Sequence, residues 1–200
     1  MMDAELYIAC LDLTDRRTVV VGEGPMAEEK AAGLRACGAT VEITARGSYR
    51  PEMLDGAYLV MVATEDDDFN RHVFEDAESR SMLVNVADVP ELCNFILPAI
   101  ARRGPLAIAI TTTGASPALA KRMRREVAEL FDDAYARMAA LLDELRPWAK
   151  ATLPDYEARR DFFDAIVNAS PDPIELLRAG NEDSVRRSID DAKADTKLRD

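Results

Sequence analysis

Cysteine and histidine are scarce in this chain: three cysteines and one histidine in 200 residues. Cys10, Cys37 and Cys93 are scattered, with no Cys-x-x-Cys spacing. That excludes a disulfide framework or a zinc knuckle and leaves three reduced core or surface thiols. The lone histidine, His72, falls on a predicted helix after Asp68 and reads as a surface residue, although a histidine there could serve as an acid–base group. Nothing in the pattern resembles a dedicated metal cage. Long apolar runs are also missing, and no stretch approaches the ~20 residues of a membrane span. The start, Met1–Met2–Asp3–Ala4–Glu5, has neither the basic residues nor the apolar core of a signal peptide, so a cytoplasmic location is expected. Basic residues are in deficit, 25 against 37 acidic ones, for a formal net charge of −12. Such a balance excludes a general nucleic-acid or anionic-membrane binder and says nothing against a local basic pocket.

What is present centres on Thr18–Val19–Val20–Val21–Gly22–Glu23–Gly24–Pro25–Met26–Ala27. A short β-branched run feeds into Gly-x-Gly-x-x-Ala, and Glu28 to Leu34 then reads as a helix. Strand, glycine turn and helix start together are the context that a dinucleotide fingerprint requires. Gly22 allows a sharp turn, Gly24 lets backbone approach a pyrophosphate, and Ala27 keeps the helix close to the sheet. The plainer alternative is an ordinary βα turn that uses two glycines.

Length suits one or two domains with a substantial core. Leu6–Leu13 is apolar and is expected to lie against the sheet as a leading extended segment. After the fingerprint helix, Gly38 is placed as a C-terminal glycine. Thr40–Thr44 alternates like a second strand. Tyr58–Ala63 is continuously apolar, the mark of a parallel strand buried on both faces. Glu65–Asp68 then lead into a helix from Phe69 to about Ser79, and these acids read as caps favoured by the macrodipole, with a metal site as the alternative. Met82–Val86 is the next strand. Strand–helix alternation makes this a doubly wound α/β domain. Beyond Pro90, the runs 95–100 and 106–110 flank Arg102–Arg103–Gly104–Pro105 and read as a hairpin. Ser116–Pro117 is a good N-cap pair for one long helix from Ala118 to about Leu145. Further helices are expected at 156–165, 173–178 and 183–194. The boundary is placed near residue 112, giving an α/β part, 1–112, and a helical part, 113–200.

Four ordered landmarks carry a more specific resemblance. They are Val19–Val20–Val21–Gly22–x–Gly24–x–x–Ala27–x–x–Lys30, and Leu59–Val60–Met61–Val62–Ala63–Thr64–Glu65–Asp66 followed by Asn70. Val84–Asn85–Val86–Ala87–Asp88–Val89–Pro90 with Phe95–Ala99 is the third, and Ile108–Ala120, through Thr113–Gly114–Ala115–Ser116, the fourth. In this order they resemble the precorrin-2 dehydrogenase and sirohydrochlorin ferrochelatase family, the N-terminal module of siroheme synthases. The resemblance implies a Rossmann-like, doubly wound parallel sheet, then a hairpin and an α-helical dimerisation region. It implies a homodimer that oxidises precorrin-2 to sirohydrochlorin with NAD, and in some members also inserts ferrous iron. The active site would lie between the cofactor cleft and the second part. The methyltransferase half of fused siroheme synthases is expected to be absent from these 200 residues.

By position, the family's key aspartate matches Asp88, which otherwise reads as a turn residue before Val89–Pro90. Hydride loss from the macrocycle must be matched by proton loss, so a positioned base is useful there. The carried-over cofactor contacts are Gly22, Gly24, Pro25, Met26 and Ala27 at the turn, Arg46 and Gly47 after the second strand, Ala63 and Thr64, and Asn85. Substrate contacts fall on Thr113, Gly114, Ser116 and Lys121. Free N–H groups at that helix start could hold a substrate carboxylate. The run Lys121, Arg122, Arg124, Arg125 suits an acetate- and propionate-rimmed macrocycle, or else is a solvated face paired with Glu126 and Glu129. No metal ligand is assigned, and iron would enter as substrate, held by the macrocycle nitrogens and a carboxylate such as Asp88.

The sequence departs from the family pattern in three places. Glu23 stands where a glycine is usual, and a carboxylate there would weaken pyrophosphate binding unless it points away. The connection from Thr44 to Tyr58 is short, so the family's usual third strand is reduced or missing. Arg46 replaces a neutral residue and no acid ends the second strand, which makes NADP an alternative to NAD because arginine there can accommodate a 2′-phosphate. A non-enzymatic dinucleotide or tetrapyrrole sensor is the reading from another class.

Overall fold

A computed structural model describes residues 6–197. It divides into two compact units, one ending at Leu97 and the other beginning at Pro98. The first unit is a four-stranded, wholly parallel sheet. Its strands are β1 (Arg17–Gly22), β2 (Thr40–Thr44), β3 (Leu59–Ala63) and β4 (Leu83–Val86), in the order β2-β1-β3-β4. Helix α1 (Gly24–Ala36) follows β1, and α2 (Asp67–Ser79) follows β3.

Alternation along the strands sends side chains to two cores. Val20, Leu59 and Met61 pack with Ala27, Ala31 and Leu34 of α1; Val19, Val21, Val60 and Val62 pack with Val73 and Ala77 of α2. Both faces are therefore covered, which is why β3 reads as an unbroken apolar run and is buried throughout. A fully buried valine or leucine contributes roughly 1.5–3 kcal/mol, so the central strands dominate this unit's stability. Gly38 closes α1 as expected, at φ +84 with its N–H donated to the Arg35 carbonyl.

Two expectations about the first unit are corrected and one is met. The apolar leader does not lie against the sheet: residues 6–12 form no strand, Tyr7 is 95% exposed, and Leu13 alone is buried. As the short connection implies, the family's usual third strand is missing, and two 3-10 turns, Arg46–Ser48 and Pro51–Leu54, stand in its place. Tyr49 between them plugs the α2-side core, its ring edge-on to Phe69 at 5.6 Å and its hydroxyl donating to Asp76 at 2.9 Å. Burial first, and that carboxylate second, push the Tyr49 phenol well above its ordinary pKa. The first hairpin arm begins at Ala99 rather than at Phe95, and the chain just before it closes the edge of the sheet. The Asn94 side-chain carbonyl accepts the Val84 N–H at 2.8 Å and the Asn94 N–H donates to the Val84 carbonyl at 3.1 Å, much as a neighbouring strand would.

The second unit opens with an antiparallel hairpin, β5 (Ala99–Arg103) and β6 (Leu106–Ile110), turned at Gly104–Pro105. Five helices follow: α3 (Pro117–Leu130), α4 (Asp133–Thr152), α5 (Tyr156–Val167), α6 (Pro173–Arg178) and α7 (Glu182–Lys197). The hairpin packs with α3 and α4 and belongs to this unit, whereas the sequence pattern puts the boundary after it, near 112. The single long helix expected from 118 to 145 is two, since Asp132 caps a new helix by accepting the Ala134 N–H. Helix α4 then runs through Pro147. Met138, Leu141, Leu145, Phe162, Ile166, Val185 and Ile189 form the core of α4, α5 and α7. Among the described residues, no helix is long and apolar enough to cross a membrane.

Candidate functional site

All four strands of the sheet point the same way, so the loops after Gly22, Thr44, Ala63 and Val86 emerge at one rim. The chain runs from β1 outward to β2 and then crosses to β3 on the other side of β1. This reversal opens a crevice at the carboxyl ends of β1 and β3, where open α/β sheets bind their ligands. Residues far apart in sequence gather along this rim: the Gly22–Ala27 turn, Arg46 and Gly47, Ala63 and Thr64, Asn85 and Asp88.

Glycine at position 22 is dictated by packing. Its φ is +149, and a Cβ there would lie 2.2 Å from the Ala63 carbonyl oxygen. Gly24 has φ +75 and nothing within 4 Å of where its Cβ would be, so the space over the turn is open. Helix α1 starts at Gly24, and Glu23 precedes it without forming a side-chain cap. By contrast Asp66, Ser116, Asp132, Asp155 and Asp172 cap α2 to α6 with their side chains. The start of α1 thus keeps its backbone donors and the positive end of its dipole for something else. Glu23 is exposed and bonds to none of them. A hollow that a Cβ would fill, open space above the turn and uncapped donors together fit a dinucleotide pyrophosphate.

Around this turn the rim is held by side chains that bond to one another. Asn70 is buried; the Thr64 hydroxyl donates to its Oδ1 at 2.6 Å, and its Nδ2 donates to the Thr64 carbonyl at 3.1 Å. Asp66 caps α2 by accepting the Phe69 N–H at 2.9 Å and forms an ion pair with Arg46. The acids before α2 are therefore caps, and among the described residues no group of three His, Cys, Asp or Glu side chains could hold a metal ion. His72 lies on α2 with its side chain 59% exposed, beside Asp76.

Asp88 sits one turn beyond β4 with φ +60, left-handed backbone that aspartate tolerates better than most residues. Its carboxylate is exposed and makes no hydrogen bond or ion pair among the described residues. Beneath it, the Cys93 sulfur clasps the turn. It accepts the Val86 N–H at 3.2 Å and shares its own hydrogen between the Val86 and Val89 carbonyls, each at 3.3 Å. Burial raises the Cys93 thiol pKa, so it stays a neutral structural group. Asn85 donates to the Phe95 carbonyl at 3.0 Å. Its Oδ1 has no protein partner, and since no buried polar side-chain atom is left unsatisfied among the described residues, that oxygen opens onto solvent. Asn70 stands out in the sequence only as a landmark and Cys93 only as a spare thiol; nothing in periodicity marks either as a support of the rim.

The remaining candidates lie in the second unit. Thr113 has φ +51, unusual for a β-branched residue, and Gly114 follows at +89. Several N–H groups of this turn already have partners, while those of Gly114 and Ala118 have none among the described residues. Ser116 N–H donates to the Thr112 hydroxyl, Thr113 N–H to the Thr111 hydroxyl, and Ala115 N–H to the Thr112 carbonyl, while the Ser116 hydroxyl caps Leu119 N–H. On α3, Arg122 pairs with Glu126 at 2.7 Å, whereas Lys121, Arg124 and Arg125 are exposed without ion pairs among the described residues.

Comparison with known proteins agrees with this layout. A family model for NAD(P)-binding matches residues 9–99, one for the central part of the sirohaem biosynthesis protein matches 103–130, and one for the sirohaem synthase dimerisation region matches 134–192. The siroheme synthase of Thioalkalivibrio sulfidiphilus is 36% identical over 94% of this chain and 42% of its own length. That of Chromobacterium violaceum is 35% identical over 93% of this chain and 43% of its own length. The chain thus spans about two fifths of the relatives it matches. A solved structure of SirC, a precorrin-2 dehydrogenase, superposes with a TM-score of 0.73 at 24% identity, covering 93% of this chain and all of that one. The same fold and three adjoining matches in one order place the chain in the siroheme synthase family, in the part that carries its NAD(P)-binding, central and dimerisation regions.

Proposed function

We propose that this chain is a cytoplasmic, homodimeric dehydrogenase that converts precorrin-2 to sirohydrochlorin with NAD. The observation that carries the reading is the rim itself. An uncapped helix start over a glycine turn and an unpaired aspartate on left-handed backbone lie at the carboxyl end of the same parallel sheet. When bound, the nicotinamide ring supplies a hydride acceptor. The chain's own residues bind and orient it: Gly22, Gly24, Met26 and Ala27 receive the pyrophosphate, Pro25 presets the turn, Gly47 lies on the adenosine side, and Ala63, Thr64 and Asn85 line the way toward Asp88.

The Asp88 carboxylate takes the proton that leaves the macrocycle as the hydride departs. Its lack of any partner among the described residues supports this role, because a base already bonded would have to break that bond first. Ser116, Thr113 and Gly114 form a rigid turn, and unpaired Lys121 is suited to a carboxylate rim of the substrate. The dimerisation-region match and the exposed Leu119, Met123 and Leu130 on α3 support a homodimer.

Anaerobic incubation with precorrin-2 and NAD, following the tetrapyrrole spectrum, tests the reading. Sirohydrochlorin and NADH formed in equal amounts are expected. Binding of NAD and sirohydrochlorin without turnover would make the chain a sensor instead.

A further inference from the structure

We infer that Asp66 is the specificity-determining residue of the dinucleotide site, holding Arg46 so that the site accepts a ribose 2′-hydroxyl and disfavours a 2′-phosphate; this rests on the dinucleotide reading above. Strands β2 and β3 flank β1 and are therefore about 10 Å apart. Arg46 follows β2 and Asp66 follows β3, so the ion pair between them spans the carboxyl end of β1. Both oxygens of Asp66 are engaged, since Oδ1 accepts the Phe69 N–H at 2.9 Å and Oδ2 takes the guanidinium. Arg46 is held a second time, its guanidinium carbon 5.6 Å from the centre of the Phe69 ring. Phe69 in turn abuts buried Tyr49.

In folds of this class the residue after the second strand reads the ribose: an acid bonds the 2′-hydroxyl, an arginine accommodates a 2′-phosphate. Here the second strand offers arginine, but the acid arrives from the other side of β1 and has already neutralised it. A 2′-phosphate would have to displace Asp66 from Arg46 and then remain close to a like charge. At separations of ~6 Å in water that repulsion weakens binding about fivefold to tenfold.

The test is calorimetric titration of the whole chain with NAD and NADP in their oxidised forms, for the wild type, Asp66→Asn, and Asp66→Asn combined with Arg46→Ala. Asparagine is as good an N-cap as aspartate, so α2 is preserved. The wild type is expected to favour NAD, Asp66→Asn to improve NADP relative to NAD by about fivefold or more, and the added Arg46→Ala to abolish that gain. An unchanged ratio in Asp66→Asn, with both dinucleotides bound, overturns this inference alone. A folded wild type that binds neither overturns the dinucleotide reading and this inference with it.

Discussion

Gly22 and Ala63 are partners in the β1–β3 register, and a single Cβ on the glycine would come within 2.2 Å of the alanine carbonyl oxygen. Gly22→Ala is therefore expected to destabilise the chain by at least about 2 kcal/mol, combining unfavourable backbone with a clash that only movement of a strand can relieve. Gly24→Ala meets open space and is expected to cost about 1–2 kcal/mol, from backbone alone. Urea unfolding of the two variants checks the order. Equal losses would mean that the strands separate freely at the crevice.

Asp88→Asn keeps a residue that tolerates left-handed backbone and removes only the ability to take a proton. Turnover of precorrin-2 is expected to fall by about 10²–10⁴, with the melting temperature and the dissociation constant for NAD unchanged. Retention of most of the activity would assign the proton to another group.

Cys93 clasps the Asp88 turn with a half-buried, neutral thiol, while Cys10 and Cys37 are exposed. A thiol-disulfide reagent at neutral pH is expected to modify two thiols quickly and the third slowly, with all three reacting in denaturant. Three equally fast thiols in the native protein would show that the clasp opens readily.

Glu182 supports the helical unit through Arg137, whose two nitrogens approach its carboxylate at 2.6 Å, and through Arg186 at 2.8 Å. The Arg137 hydrogen bonds first, and Arg186 after them, pull its pKa from the ordinary 4.5 down to about 2. A depressed carboxylate pKa means that the unfolded chain binds the proton more readily. The stabilisation is therefore complete above pH 4.5 and is lost as pH falls toward 2. Chemical denaturation across that range should show a shallower loss for Glu182→Gln than for the wild type. Identical slopes would mean that the arginine cluster contributes nothing in solution.

The two central parallel strands are legible in the sequence because they are buried on both faces: Val19–Val20–Val21 and Leu59–Ala63 could be little else. Caps are legible wherever Asp or Ser precedes a helix, at Asp66 and Ser116. Asp132 is the exception, because apolar periodicity on both sides masks the break. Leu6–Leu13 misleads because apolar composition does not say whether the sheet has a free place for another strand. The run from Phe95 misleads because its first residue accepts a side-chain hydrogen bond from Asn85 and the hairpin strand starts only at Ala99, a difference that leaves no trace in hydrophobic spacing. The rim residues are found by motif and resemblance, but the Arg46–Asp66 pair is not. Its partners meet only because the strand order puts β1 between them.

The outer border of the sheet is finished by a side chain. The Asn94 amide receives the Val84 N–H and donates to the Met82 carbonyl and to Glu78, standing where a fifth strand would run. One side chain thereby covers part of that border. Replacing Asn94 with alanine would free the Val84 N–H and the Met82 carbonyl at this edge, groups to which a second molecule could pair. The resulting defect would be seen as precipitation during synthesis, in a protein whose reactive groups are all intact.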